Sequence, residues 1–152
     1  MQYHIRPICP GDVPAIARLY MESYSDSTWQ ETWSYEDAHQ RIFELTSSRI
    51  NIGLICLDHD VVIGCIIAEV LSWHTGKQME IKEVFVSPNY RDLGIGSSLI
   101  VEAERIGKER NVCEIFLWTN NDRKLTQFYK HCGYQSSNNV IQLIKQIKEE
   151  QS

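Results

Sequence analysis

The chain has 152 residues, 43% apolar and 23% charged, with eight Gly and four Pro, a balance that excludes disordered and fibrous classes. Its 15 Lys and Arg against 20 Asp and Glu leave a net charge of −5, so the summed field repels phosphate backbones and argues against a nucleic-acid partner. Uncharged apolar runs such as Val61 to Ala68 fall well short of the ~20 residues a membrane span needs. The opening MQYHIRP holds no apolar signal region, so a soluble cytoplasmic protein with no membrane partner is expected.

No repeat or linker divides the sequence, and a chain of this length is served by one hydrophobic core. Residues 1–148 therefore read as one domain and 149–152 as a charged tail. The five cysteines form no C-x-x-C pair and sit mostly in apolar stretches, which suits reduced core residues rather than redox or metal chemistry. No His or Cys pair has metal-ligand spacing, so no metal is expected.

Tyr3 to Ile8 alternates like a strand and stops at Pro10-Gly11. Asp12 then caps a helix with Val13, Ile16, Ala17, Tyr20 and Tyr24 on one face. After the polar stretch SDSTWQETW, Ser34-x-x-Asp37 forms a capping box for a second helix with Ala38, Ile42 and Leu45 in a stripe. Ile50 to Leu57 and Val61 to Leu71 are β-rich runs split only by Asp58-His59-Asp60, the pattern of an antiparallel hairpin. A further strand, Met79 to Val86, ends at Ser87-Pro88-Asn89.

After RDLGIG a helix runs to about Arg110, with Ile95, Leu99, Ala103 and Ile106 inward. Val112 to Trp118 is a strand, and Asp122 opens a helix with Leu125, Phe128, Tyr129 and Cys132 inward and Gly133 as its left-handed stop. Val140, Ile141, Leu143, Ile144 and Ile147 fit either period and are read as a last strand. The order β-α-α-β-β-β-α-β-α-β predicts an α/β (α+β) layer fold, a mixed and mostly antiparallel central sheet flanked by helices.

The segment Arg91-Asp92-Leu93-Gly94-Ile95-Gly96-Ser97 joins a strong strand to a strong helix. Two glycines one residue apart let a ligand approach the backbone, and the helix start aims N–H groups and the positive dipole end at it, which suits an anion. A tight turn that needs Gly for its own sterics would look the same. The dinucleotide fingerprint fails at Leu99 and a phosphate loop lacks its G-K-S/T.

The arginine-led R-x-x-G-x-G in EVFVSPNYRDLGIGSSL, followed about 30 residues later by FYKHCGY, resembles the GCN5-related N-acetyltransferase (GNAT) superfamily along the whole chain. The resemblance implies a GNAT-like fold with splayed central strands, acetyl-CoA as co-substrate, and a plausible homodimer. It places the CoA diphosphate on the main chain of Arg91, Asp92, Leu93, Gly94, Ile95, Gly96 and Ser97. Pantetheine is then expected along Val84, Phe85 and Val86, and the family's arm-holding asparagine, whose register falls on Asp122 here, is replaced by Asn120 or Asn121. Asp92 departs from the basic or small residue more usual there and is expected to face solvent. Tyr129 is implied as the acid that protonates the leaving thiolate, although an aromatic on that helix face is ordinarily a core residue.

Acyl transfer from a thioester to an amine needs a neutral amine, a polarised carbonyl and a protonated leaving group. In MEIKEVFV, period-2 alternation sets Glu80 and Glu83 on opposite faces. If Val84 and Val86 are core, Glu83 faces the substrate side and is the favoured base through water, with Glu80 second; the alternative is that either is a solvated or salt-bridged strand residue and no side chain serves as base. Trp29, Trp33 and Tyr35 beside Glu31, Glu36 and Asp37 suggest an aromatic, acidic wall for a cationic amine, or simply a staple for the second helix. The W-x-E-x-W-S-x-E pattern weakly resembles the aminoglycoside 6'-N-acetyltransferase-like group. The expected function is acetyl transfer to a primary amine of a small or polycationic molecule; the alternatives are acetylation of a protein N-terminus or lysine, or a non-catalytic CoA- or amine-sensing module.

Overall fold

The computed structural model describes residues 3–25 and 31–148. They fall into two compact units, Met1–Trp118 and Thr119–Ser152. In the first, β1 (Tyr3–Pro7), α1 (Val13–Tyr24), α2 (Tyr35–Thr46), β2 (Asn51–Asp58), β3 (Val61–Trp73), β4 (Gly76–Val86), α3 (Ile95–Glu109) and β5 (Val112–Leu117) follow in that order. The five strands form one sheet in sequence order; the first three pairings are antiparallel and β4–β5 is parallel. The α/β class with a mixed sheet flanked by helices is as the sequence predicts.

Local chemistry explains most element ends. Ser34 accepts the Asp37 N–H at 3.1 Å at the start of α2, as its spacing predicts. Asp12 stands at the N-cap of α1 but does not cap it with its side chain. Its carboxylate instead accepts from Arg6 at 2.8 and 3.0 Å and from the Cys9 N–H at 2.7 Å, because a fork-shaped guanidinium competes well for both oxygens. Val13, Ile16, Ala17 and Tyr20 of α1 join Ala38 and Ile42 of α2 over Ile55, Cys65, Ile67 and Phe85 of the sheet. The other face carries α3: a Cβ on Gly64 of β3 would stand 3.0 Å from Ile95 and 3.1 Å from Leu99, so the missing side chain is what lets α3 lie so close. Of the cysteines, Cys56 and Cys65 are buried, Cys132 is half-buried, and Cys9 and Cys113 are exposed; the expectation of core cysteines is corrected for the last two, which lie at a turn and on the outermost strand.

In the second unit, α4 (Arg123–His131) is capped by Asp122, which accepts the Leu125 N–H at 3.1 Å. It stops at Gly133, whose φ of +97° suits glycine. Its inward residues are half-buried rather than fully so. The last strand expected over Val140 to Ile147 does not form: 134–148 hold neither helix nor strand, and Val140, Ile141, Leu143, Ile144 and Ile147 are 54–87% exposed. Apolar neighbours at 140–141 and 143–144 put side chains on both faces of any strand, so neither period yields one clean apolar face.

The Arg6–Asp12 pair gives a pH signature. Arg6 hydrogen bonds hold the Asp12 carboxyl below its ordinary 3.8. A lowered folded value means that its stabilisation is complete above that ordinary value and is lost as pH falls through the folded one. Asp12→Asn should lower the urea midpoint at neutral pH, with the gap to wild type closing on acidification below that range; a gap that stays constant with pH would contradict the ion pair's role.

Candidate active site

The register of β3 on β4 slips by one residue at Lys82: Ile67 pairs with Glu83, whereas Ala68 pairs with Ile81. This is a β-bulge, which bends its strand and sharpens its twist. Its effect on facing is direct. Met79 lies against Gly107 of α3, yet Phe85, six residues on, packs with α1 on the opposite face of the sheet. Strict alternation would put both on one face. The expectation that Glu80 and Glu83 point to opposite faces is therefore overturned: Glu80 faces away from α3 by alternation with Met79, and the bulge brings Glu83 to that same face.

The bulge coincides with the end of the β4–β5 ladder. The parallel pairing of β4 with β5 ends at Ile81 and Leu117, while β4 runs on to Val86 still paired with β3. From Lys82 to Val86 the backbone edge of β4 has no β5 partner, because β5 ends at Leu117. Val84, Phe85 and Val86, singled out from the sequence, lie along this edge.

Beyond β4, a turn at Pro88–Tyr90 leads into the Arg91 to Ser97 loop. Asp92 has φ +63° and Gly94 φ +80°, both in the left-handed region that Gly, Asp and Asn enter most readily. Asp92, unusual beside the resemblance, thus supplies a conformation, and it is exposed. Gly94 is the N-cap of α3, which carries no side-chain cap, so the helix presents its first amides and positive dipole end outward. A Cβ on Gly94 would meet nothing within 4 Å, leaving the approach to the loop clear. The Arg91 guanidinium donates to the Ser23 carbonyl of α1 at 3.0 Å, and Ser23 Oγ donates to the Val86 carbonyl at 3.3 Å. Loop, α1 and the end of β4 are thereby tied together.

Glu83 lies just past the bulge, in the unpaired stretch, only 8% exposed. Its Oε1 accepts from Tyr20 Oη at 3.1 Å and from Arg41 Nε at 2.9 Å, and Arg41 NH2 stands 2.7 Å from the same oxygen. Tyr24 Oη donates to Oε2 at 2.8 Å. Burial, and then the charge of Glu83, push the Tyr20 phenol well above its ordinary range. Burial opposes the Arg41 cation, but the hydrogen bond and charge of Glu83 outweigh it and raise its pKa. Tyr20 and Tyr24 are readable only as a helix face, and Arg41, one position off the apolar stripe of α2, gives no sequence signal as Glu83's partner. Glu80 pairs with Lys82 at 2.9 Å.

Trp33 donates to Glu31 at 2.8 Å and sets its ring edge-on to Tyr20 at 4.9 Å, and Arg18 lies over Tyr35 at 5.9 Å. Both aromatics pack against the core, so the stapling role is present; Trp29 lies outside the described residues. Asn120, Asn121 and Tyr129 belong to the second unit. The Asn120 carbonyl accepts the Asp122 N–H at 2.8 Å, and the half-buried Tyr129 ring meets Phe128 at 5.0 Å and Tyr134 at 6.1 Å. Asp122, at the register of the family's asparagine, is occupied as the α4 cap.

The fourth strand thus runs on past the end of the fifth and leads through a glycine-bearing turn into a helix without a side-chain cap. Residues 13–134 match the Acetyltransferase (GNAT) family, and the chain belongs to it. It is 24% identical over 158 residues to an uncharacterised N-acetyltransferase of Methanocaldococcus jannaschii, an alignment that takes in 96% of this chain and 66% of that one; the chain thus spans just under two thirds of that relative. It is 25% identical over 120 residues to a spermidine N(1)-acetyltransferase of Thermoplasma acidophilum, covering 76% of this chain and 70% of the relative. An aminoglycoside N-acetyltransferase solved in complex with CoA shares the fold, with a TM-score of 0.75 over 94% of each chain at 17% identity. Among the described residues no helix is long and apolar enough to cross a membrane.

Removing one partner of the Glu83 cluster leaves a buried charge without its counter-ion. Arg41 is 42% exposed, which moderates the loss, so Arg41→Ala should destabilise by about 1–3 kcal/mol in urea unfolding. No measurable change would mean that the ion pair does not hold α2 to the strand.

Proposed function

We propose that the protein is a cytoplasmic N-acetyltransferase that uses acetyl-CoA and passes the acetyl group directly to a primary amine of a small or polycationic molecule. The observation that carries this reading is the stretch of β4 beyond Ile81, free of β5 and leading into the loop at the start of α3. The amine acceptors named for the spermidine and aminoglycoside acetyltransferases support the choice of acceptor class.

The residues present fit the co-substrate: an unpaired strand edge suits an amide-bearing arm, and an unobstructed, uncapped helix start suits a diphosphate. When bound, acetyl-CoA supplies a thioester-activated acetyl group and a thiol leaving group. Main-chain amides of Arg91 to Ser97 would hold the diphosphate. The main chain of Val84 to Val86 would hold the arm as an added strand and donate an N–H near Phe85 to polarise the carbonyl. Asn120 and Asn121 are the side chains assigned to the arm.

Glu83 is the base in this reading and takes the amine proton through water. Arg41, Tyr20 and Tyr24 fix its carboxylate, and Glu80, engaged with Lys82, is the second choice. Tyr129 returns a proton to the departing thiolate, a role that rests on its motif. Trp33, Tyr35 and the acidic residues Glu36 and Asp37 of α2's first turn favour a cationic acceptor, a role extended to Trp29.

Thiol release from acetyl-CoA over a panel of polyamines, aminoglycosides and peptides tests the whole. Turnover is expected with the polycationic amines and weaker or absent turnover with peptides. Tight CoA binding with no thiol release from any acceptor would instead identify a sensor. Tyr129→Phe should lower kcat about 10²-fold or more while leaving CoA affinity unchanged; an equal loss of both would make Tyr129 a packing residue.

A further inference from the structure

The turn that precedes the loop is fastened on a second side. Tyr90 Oη donates to Asp58 Oδ2 at 2.7 Å, and Asp58 is the last residue of β2, in another part of the sheet. The Tyr90 ring also stands edge-on to Tyr3 of β1, with centroids 6.1 Å apart. The other oxygen of Asp58 is 3.0 Å from His59 Nδ1, and His59 sits at φ +56° in the tight turn to β3. The Tyr90 N–H donates to the Ser87 carbonyl at 2.9 Å, and the Ser87 N–H to the Ile63 carbonyl of β3 at 2.8 Å. One residue further on, Arg91 reaches the Ser23 carbonyl of α1.

We propose that Asp58 and Tyr90 form a latch that pre-sets the Arg91 to Ser97 loop for the diphosphate of CoA, so that both act as positioning residues for co-substrate affinity without touching the co-substrate. This rests on the proposed use of acetyl-CoA. The physical reason is entropic. Asp92 and Gly94 hold left-handed conformations in an exposed loop, and such a loop samples other states unless its ends are fixed. A loop ordered in advance spends less of the binding free energy on ordering itself. The latch is charge-assisted: the Tyr90 hydrogen bond is the leading cause that holds the Asp58 carboxyl below its ordinary range, and Asp58 in turn raises the Tyr90 phenol. The pairing therefore persists across neutral pH.

The test compares two ligands that share the thiol arm: CoA, followed by calorimetry, and pantetheine, which lacks the diphosphate, followed by NMR titration. Tyr90→Phe keeps the ring on Tyr3 and removes only the donor; Asp58→Ala removes the acceptor. Each should weaken CoA about five- to tenfold, the range expected for one lost hydrogen bond, while pantetheine affinity stays within about twofold. The double variant should be no weaker than the worse single one, because one interaction is shared. Unchanged CoA affinity in Tyr90→Phe, or an equal loss for both ligands, would overturn the latch. Wild-type protein that binds no CoA would overturn the acetyl-CoA reading itself, and the latch with it.

Discussion

One extra residue in β4 governs the architecture of the site. The bulge at Lys82 lies where the pairing with β5 ends, and it brings Glu83 and Phe85 to the face beneath α1 and α2. Because β5 ends at Leu117, β4 runs on past it with that edge free of a β5 partner. Because backbone donors and acceptors are costly to leave unpaired, a strand edge without a partner strand is a surface suited to a group that brings amides of its own.

The same bulge explains why a carboxylate can be buried in this core. Glu83 is carried under two helices, where an isolated charge would be severely penalised. Tyr20 and Tyr24 of α1 and Arg41 of α2 answer it with hydrogen bonds. These bonds also pin both helices to the part of β4 that runs past β5. Structural and chemical roles are thus superimposed on one residue: the donors that make Glu83 tolerable in the core also fix the position from which it would act.

Around the loop before α3 the arrangement is of a different kind. Little apolar area is buried there, and its shape comes from left-handed backbone at Asp92 and Gly94 and from polar ties to separate elements: Tyr90 to the end of β2, Arg91 to α1. Close packing of α3 over Gly64 sets where the helix, and hence its dipole, begins. The loop is tied to separate elements at its start, and a Cβ on Gly94 would meet nothing within 4 Å.

Much of this was legible from the amino-acid order alone. Periodicity, the Ser34 cap, the Asp58-His59-Asp60 turn and the Gly133 stop are local signals, and each yields its element; the motif from Arg91 to Ser97 with FYKHCGY pointed to the family. The segment from Val140 to Ile147 misled because its apolar content suggests an element while neither period gives it one clean apolar face. What only the tertiary structure decided was the slip at Lys82, and with it the facing of Glu83 relative to Glu80, the point at which β4 loses its β5 partner, and the company of Arg41, Tyr20, Tyr24, Tyr90 and Asp58. A bulge is set by how two strands register against each other, and these partners lie 32 to 63 residues apart along the chain. Local propensity acts over a few residues and carries no information about which distant side chains the fold will bring together.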